Sequence, residues 1–326
     1  MIRLVRFDAD ATGLLVGEGA EAQVLDIAAS LGALPANTAE GLAPLVAPGV
    51  SWAGLIAGWR GYREAFGQLE ALAESGDTGK LTLRPVGDVT LGPPLPEPAT
   101  RIFAMGGNFP MHLAGATDKL DLPDSVTKGT KADTPPWGFF VIPYTTVGRE
   151  VEIVPPAATR YFDYEAEVGA VLTGEPVGAD GRVPIFGYTA WNDFSIRDAA
   201  FKLSKVDHGP LTWSLQKNFA TANACGPYLV VDEGATIDAL RIVCRVNGEV
   251  RQDGTTADMN FRFGEIAAHI TEYLPLRPGD MILSGTPSGT AMEGGPDGRF
   301  LQDGDVVEVQ VDGVDVLRNR VRFVER

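Results

Sequence analysis

The chain has 326 residues, of which 44% are hydrophobic and 21% charged, with a formal net charge of −16. That length allows one large domain or two unequal ones, and the ordinary balance of residue types excludes whole-chain disorder. The acidic excess argues against nucleic acid or an anionic membrane surface as partner, since neither is held without a basic patch.

In chain order, Ile2–Phe7, Leu14–Val16 and Ala22–Ile27 read as short strands separated by glycine-containing turns. The opening Met-Ile-Arg-Leu-Val-Arg-Phe-Asp lacks the basic-then-apolar pattern of a signal segment, and no run reaches about 18 apolar residues. Cys225 and Cys244 read as buried apolar residues of a reducing compartment, so the expected location is cytoplasmic. Leu55, Trp59, Tyr62, Phe66 and Leu69 recur at spacings of three and four, which predicts an amphipathic helix with that stripe in the core. The proline-rich passage Gly92–Pro98 then fixes the backbone and removes donors. It is the expected joint between a small N-terminal domain, residues 1–97, and a larger unit, residues 98–326.

Beyond the joint the texture is mostly strand. Arg241–Val246 runs into the hairpin signal Asn247-Gly248, and Val306–Val311 leads through Asp312-Gly313 into Val314–Leu317. One helix is expected near Gly264–Tyr273, with Ile266, Ile270, Tyr273 and Leu274 on one side, followed by the strand Met281–Ser284. The expected class is mainly β with some α, an α+β fold.

The segment Asp163–Leu172 is apolar apart from its acids, and alternation puts Glu165 and Glu167 on one face while Ala166, Val168, Ala170 and Leu172 pack on the other. Residues two apart on a strand are separated by roughly 6.5–7 Å, so both acids can lean onto one cation. Asp193 ends the next strand-like run. Three carboxylates at the ends of adjacent strands make an all-oxygen site suited to Mg²⁺ or Mn²⁺, with Ca²⁺ a further candidate. For Asp193 the competing reading is local: Asp193 or Ser195 caps a short helix, and Asp198 completes a capping box.

Of three histidines, His269 falls within the predicted helix and His208 in a loop. His112 follows the glycine-rich segment Met105–Met111 on a lid-like stretch, where a general base would be useful. Lys217 lies among aromatic residues in Trp213–Phe219, a setting for a fixed positive charge near an acidic site. Gly285-Thr-Pro-Ser-Gly289 is either an ordinary turn or an anion-binding loop with hydroxyls from Thr286 and Ser288, and it is not a P-loop.

Five stretches, Asp163–Val168, Gly187–Asp198, Trp213–Phe219, Val246–Asp258 and Leu276–Gly289, together resemble the fumarylacetoacetate hydrolase superfamily, its acylpyruvate-hydrolase branch in particular. The resemblance implies a C-terminal fold of mixed, rolled sheets, a small variable N-terminal domain, and a homodimer. It implies that Glu165, Glu167 and Asp193 are metal ligands and that Lys217 faces substrate. Gly285 and Thr286 would form the substrate-contacting loop, with Arg197 and Gln252 lining the site and His112 on the lid. Two departures stand out. The glutamate that many members place three residues after the histidine is Gly115 here, so Glu293 or Asp118 is the candidate replacement. The family's F-x-K-P segment appears as Phe140-Val-Ile-Pro143, without its lysine, which implies a different substrate.

The implied activity is metal-dependent hydrolysis of a C–C bond in a β-diketone or acylpyruvate-like acid, with the leaving group released as a metal-held enolate. The alternatives are a dehydratase, decarboxylase or isomerase of a 2-oxo acid, or a metal-binding relative without catalysis. The ligand in each case is a small anionic 2-oxo or diketo acid.

Overall fold

Alternating apolar runs form strands, and the single long apolar stripe forms a helix, across residues 1–8, 10–117, 134–178, 184–201 and 209–324, which the computed structural model describes. The N-terminal part contributes β1 (Ile2–Phe7), β2 (Ala11–Val16), β3 (Gln23–Asp26), α1 (Ile27–Ser30), α2 (Ala36–Val46), α3 (Trp52–Ser75), β4 (Leu83–Pro85) and β5 (Leu91–Gly92). Next come β6 (Ile102–Met105), α4 (Pro110–Thr117), β7 (Gly138–Val141), β8 (Thr146–Val147), β9 (Phe162–Asp163), β10 (Ala166–Leu172), β11 (Ile185–Asp193) and β12 (Ser195–Ile196). The rest holds α5 (Pro210–Leu215), β13 (Asn223–Val231), β14 (Arg241–Val246), β15 (Glu249–Thr255), α6 (Phe263–Thr271), β16 (Met281–Leu283), β17 (Val306–Val311) and β18 (Val314–Arg320). The class is α+β, sheet-rich with a few helices. None of the described helices is long and apolar enough to cross a membrane.

A 12-stranded sheet runs in the order β4-β3-β2-β1-β13-β11-β10-β16-β6-β7, with β5 on β1 and β8 on β13. A four-stranded sheet, β15-β14-β17-β18, packs over one face. Helix α3 covers part of the other through Trp52, Leu55, Ile56, Trp59, Phe66 and Leu69. The expected stripe is therefore core except at Tyr62, which is half-buried and donates its hydroxyl to the Gly41 carbonyl at 3.1 Å. Ser51 caps the start of α3, and Gly76, left-handed at φ 78°, ends it. Helix α2 had no clear sequence signal: it carries Pro44 and buries only Leu42 and Val46.

Strand β1 pairs antiparallel with β13, Leu4 opposite Leu229, so residues on the two sides of position 98 share one sheet. The boundary expected at 97/98 falls between strands of that continuous sheet. Strand β10 sits centrally, and both its faces are buried: Ala166, Val168, Ala170 and Leu172 join the core beneath β14 and β17, while Val171 joins that of α3. Asn247 and Gly248 both take positive φ, 53° and 80°, the hairpin turn their residue types favour. Helix α6 stops at Thr271 and buries Phe263, Ile266, Ala267 and Ile270. Tyr273 and Leu274, expected on its apolar side, lie beyond its end and are exposed.

Candidate metal centre and its cavity

Strand β9 stops at Asp163, the chain turns through Tyr164 and Glu165, and β10 begins at Ala166. Glu165 therefore sits on the joint between strands, held there because its N–H donates to Asn192 Oδ1 and its carbonyl accepts from the Asp193 N–H at 2.9 Å. Register does the rest: Ala166 faces Asn192 and Glu167 faces Trp191, which brings the end of β11 beside both glutamates. One carboxylate oxygen from each of Glu165, Glu167 and Asp193 lies within 4.8 Å of the others, and all three residues are buried. The helix-cap reading of Asp193 is not realised. Ser195 and Ile196 pair as β12 with β9, and Asp198 instead accepts from the Arg160 and Tyr161 amides.

Two cations share the cluster. Lys217 Nζ lies 2.6 Å from Glu165 Oε2 and 2.7 Å from Asp193 Oδ2. Arg197 binds Asp163 Oδ2 through Nε at 3.1 Å and reaches Glu165 with its other arm. Asp163, for which the sequence suggested no role, also accepts from the Ala291 and Met292 amides and so ties the β9 end to the 291–297 turn. Asp163, Glu165, Glu167 and Asp193 thus face one guanidinium and one ammonium, an excess of two negative charges in a buried site.

The excess falls unevenly. For Glu165, burial favours the neutral acid, but Lys217, Arg197 and His112 outweigh it and hold the carboxyl below its ordinary range. Burial, with Asp193 and Glu165 nearby, pushes Glu167 well above the usual value, and burial pushes Asp193 up to about 7 despite Lys217. Lys217 and Arg197 are held charged by the acids against the cost of burial. Asp193 Oδ1 is buried with no hydrogen-bond partner, and neither cation forms an ion pair with Glu167 among the described residues. An orphaned carboxylate oxygen, an all-oxygen donor set and two uncompensated charges fit a hard divalent cation held by Glu165, Glu167 and Asp193.

His112 lies on α4, and its Nδ1 is 2.7 Å from Glu293 Oε1. Glu293 is itself fixed by the Gly289 amide at 3.0 Å and by Thr290. Gly115 explains the substitution at its position: a Cβ there would lie 2.9 Å from Glu293 Cγ. The space a side chain at 115 would use is filled by Glu293 arriving from the other end of the chain. Asp118, the other candidate, and His208 lie outside the described residues. Asn108 anchors the segment before α4, its side chain bonding the Phe261 amide and the Phe261 and Ser284 carbonyls. His269 is partly exposed on α6, away from these groups.

The amides at the two ends of the turn Gly285–Gly289 are engaged by the protein's own carboxyl groups. The Gly285 amide donates to Glu167 Oε2 at 3.1 Å, and the Gly289 amide donates to Glu293. At Gly285, φ is 76° and a Cβ would crowd Asn108 and the Met105 carbonyl, so glycine is needed there. Gln252, which the resemblance places in the lining of the site, is engaged by the protein itself. It sits behind the wall: Oε1 accepts from the Ala166 amide, and Nε2 donates to Thr286 Oγ1 and the Pro287 carbonyl, which leaves its amide fully engaged in joining β10 to this turn.

A cavity opens above the cluster, with Glu165, Arg197, Lys217, His112 and Thr286 among its lining residues. Leu113, Trp137, Phe139, Trp213 and Met292 also line it. Trp137 went unrecognised in the sequence, since nothing local links it to residues 76 positions later; Trp213 was visible only as a neighbour of Lys217.

Residues 101–322 match the family described as fumarylacetoacetate (FAA) hydrolase C-terminal. An uncharacterised protein of Staphylococcus epidermidis is 33% identical over 234 residues, 71% of each chain. The oxaloacetate tautomerase YisK of Bacillus subtilis is 29% identical over 239 residues, 72% of this chain and 73% of its own. Among solved structures, maleylpyruvate hydrolase from Sphingobium sp. SYK-6 superposes with a TM-score of 0.69 at 23% identity, covering 99% of this chain and 100% of that one. That hydrolase has also been crystallised with manganese(II) and pyruvate.

Proposed function

The chain belongs to the fumarylacetoacetate hydrolase family, and on that premise we propose that it is a divalent-metal-dependent enzyme that hydrolyses a C–C bond in an acylpyruvate-like 2-oxo acid. The observation that carries the reading is that His112, paired with Glu293, lines the same cavity as Glu165 of the buried acid cluster. Mg²⁺ or Mn²⁺, held by Glu165, Glu167 and Asp193, would supply Lewis-acid stabilisation of negative charge on the substrate's oxygens.

The side chains supply the remainder. A carboxylate on Nδ1 keeps the proton on that nitrogen, leaves Nε2 basic and stabilises the imidazolium once formed. His112 would take a proton from water as its oxygen adds to the carbonyl remote from the carboxylate. The C–C bond then breaks, its electron pair passes to the carbon beside the 2-oxo group, and His112 returns the proton. Lys217 and Arg197 hold positive charge beside the anionic head, and Thr286 and Gly285 keep the wall and Glu167 in place.

The tautomerase relative supports a second reading: the same base would move a proton between carbon and oxygen of a 2-oxo acid without water addition. Decarboxylase and dehydratase activities draw on the same groups. Proton NMR of products from acylpyruvates and oxaloacetate, with Mg²⁺ or Mn²⁺, separates them. Two acids from one acylpyruvate support hydrolysis; keto–enol exchange alone overturns it. The 1–97 and 98–326 division and a homodimer remain part of the proposal, the latter tested by light scattering.

A further inference from the structure

We propose that the substrate's end remote from the 2-oxo acid head is a flat, uncharged apolar group, such as a phenyl ring, and not a second carboxylate. This rests on the reading of the acid cluster as the seat of a 2-oxo acid, and it deepens that reading by naming the tail.

Rings lead outward from the charged floor in an unbroken series. Lys217 Nζ lies 5.5 Å from the Phe139 ring centroid. Phe139 meets Trp213 edge-on at 4.7 Å, and Trp213 lies 6.2 Å from Trp137. Burial falls along the same line, from Lys217, 5% exposed, to Trp137, 36% exposed at the mouth. Met105, Leu113 and Met292 fill the cavity lining between them. Among the described residues, the fixed charges lining the cavity are those of Glu165, Arg197 and Lys217, and each is already bound within the acid cluster. A tail carboxylate lying along these rings would lose water and gain no cation from the described residues, whereas a ring would stack on the indoles.

The wall is built into the backbone. Gly106 donates its N–H to the Trp137 carbonyl at 3.1 Å, and a Cβ on Gly106 would lie 2.5 Å from the Trp137 ring. The indole therefore lies directly on the main chain of the segment leading to His112. That contact is possible only because residue 106 has no side chain.

The test uses a matched pair of probes, 2-oxo-4-phenylbutanoate and 2-oxoglutarate, which share head and spacer and differ only in the terminal group. Neither has the dicarbonyl unit that hydrolysis would cleave, so calorimetric titration of the Mg²⁺-loaded protein reads binding alone. The phenyl acid is expected to bind at least ~10-fold more tightly, the scale of one good aromatic contact. Trp137→Ala, at an exposed position, should narrow the ratio to within ~3-fold, and Trp213→Leu should do the same. Equal or tighter binding of 2-oxoglutarate, no binding of either probe, or a ratio unchanged in both variants would overturn the proposal. The reaction is judged separately: preferential binding of the phenyl acid without turnover of benzoylpyruvate would keep the tail and discard the hydrolase.

Discussion

The floor of the cavity and its His112–Glu293 wall solve the problem of buried charge in different ways. The floor is built on sheet: Glu167 and Asp193 are on paired strands, Glu165 is pinned at a strand joint, and the cations present leave two charges uncompensated. The wall is built on a helix and a turn and is self-contained, since Glu293 has backbone amides, a hydroxyl and an imidazole around it. Rigid strands can hold like charges together that a flexible loop would let separate. The protein thus keeps a site whose electrostatics ask for an ion from outside, next to a pair that needs nothing further.

Four outcomes would sharpen or break that contrast. Glu167→Ala should remove metal-dependent turnover, a loss of at least ~10³-fold in kcat, while the circular dichroism spectrum is retained. Turnover that survives a chelator would break the metal reading. His112→Ala should cost roughly two to four powers of ten in kcat with a much smaller change in Mg²⁺ affinity, because His112 meets the floor only through its charge near Glu165. Gly115→Ala should push Glu293 from its place and lower kcat by about tenfold, with an altered pH–rate profile but an unchanged metal-induced shift in Tm. Equal losses in metal binding would show the two regions to be one unit.

The fourth outcome concerns stability. Folding raises the pKa of Asp193 to about 7 and that of Glu167 well above its ordinary value, so the native state binds more protons than the unfolded chain above about pH 4. Stability of the chelated protein should therefore fall as pH rises from about 4 through 7. Glu165, held low, contributes with the opposite sign only below its ordinary value, outside that window. Thermal melts with chelator and with Mg²⁺ should diverge as pH rises, since the ion favours the ionised acids. Parallel melts would mean that the excess charge is not what the ion meets.

Much of the floor was legible in the sequence because its cause is local. Two acids in an otherwise apolar strand announce themselves, and Asp193 ends a run whose strand character is equally plain. Asn247-Gly248 and the stripe of α3 were readable for the same reason. The capping reading of Asp193 failed because Ser195–Ile196 found a strand partner, β9, which no local pattern reveals. The engagement of Gln252 with β10 and the Gly285–Gly289 turn could not be read in advance, because residue type alone does not say which way an amide is engaged. For the Gly285–Gly289 turn the sequence left an ordinary turn and an anion-binding loop open, and the structure engages its amides with the protein's own Glu167 and Glu293.

By itself, the sequence determined which residues carry charge, where most strands and turns fall, and that three acids lie at or near strand ends, because alternation and turn chemistry act over a few residues. Tertiary structure alone decided that Glu293 meets His112 across 181 positions, that Gly115 leaves it room, and that Trp137, Phe139 and Trp213 line one path from Lys217 to solvent. Those contacts depend on strand order and on the packing of segments far apart in the chain, which short-range patterns do not encode.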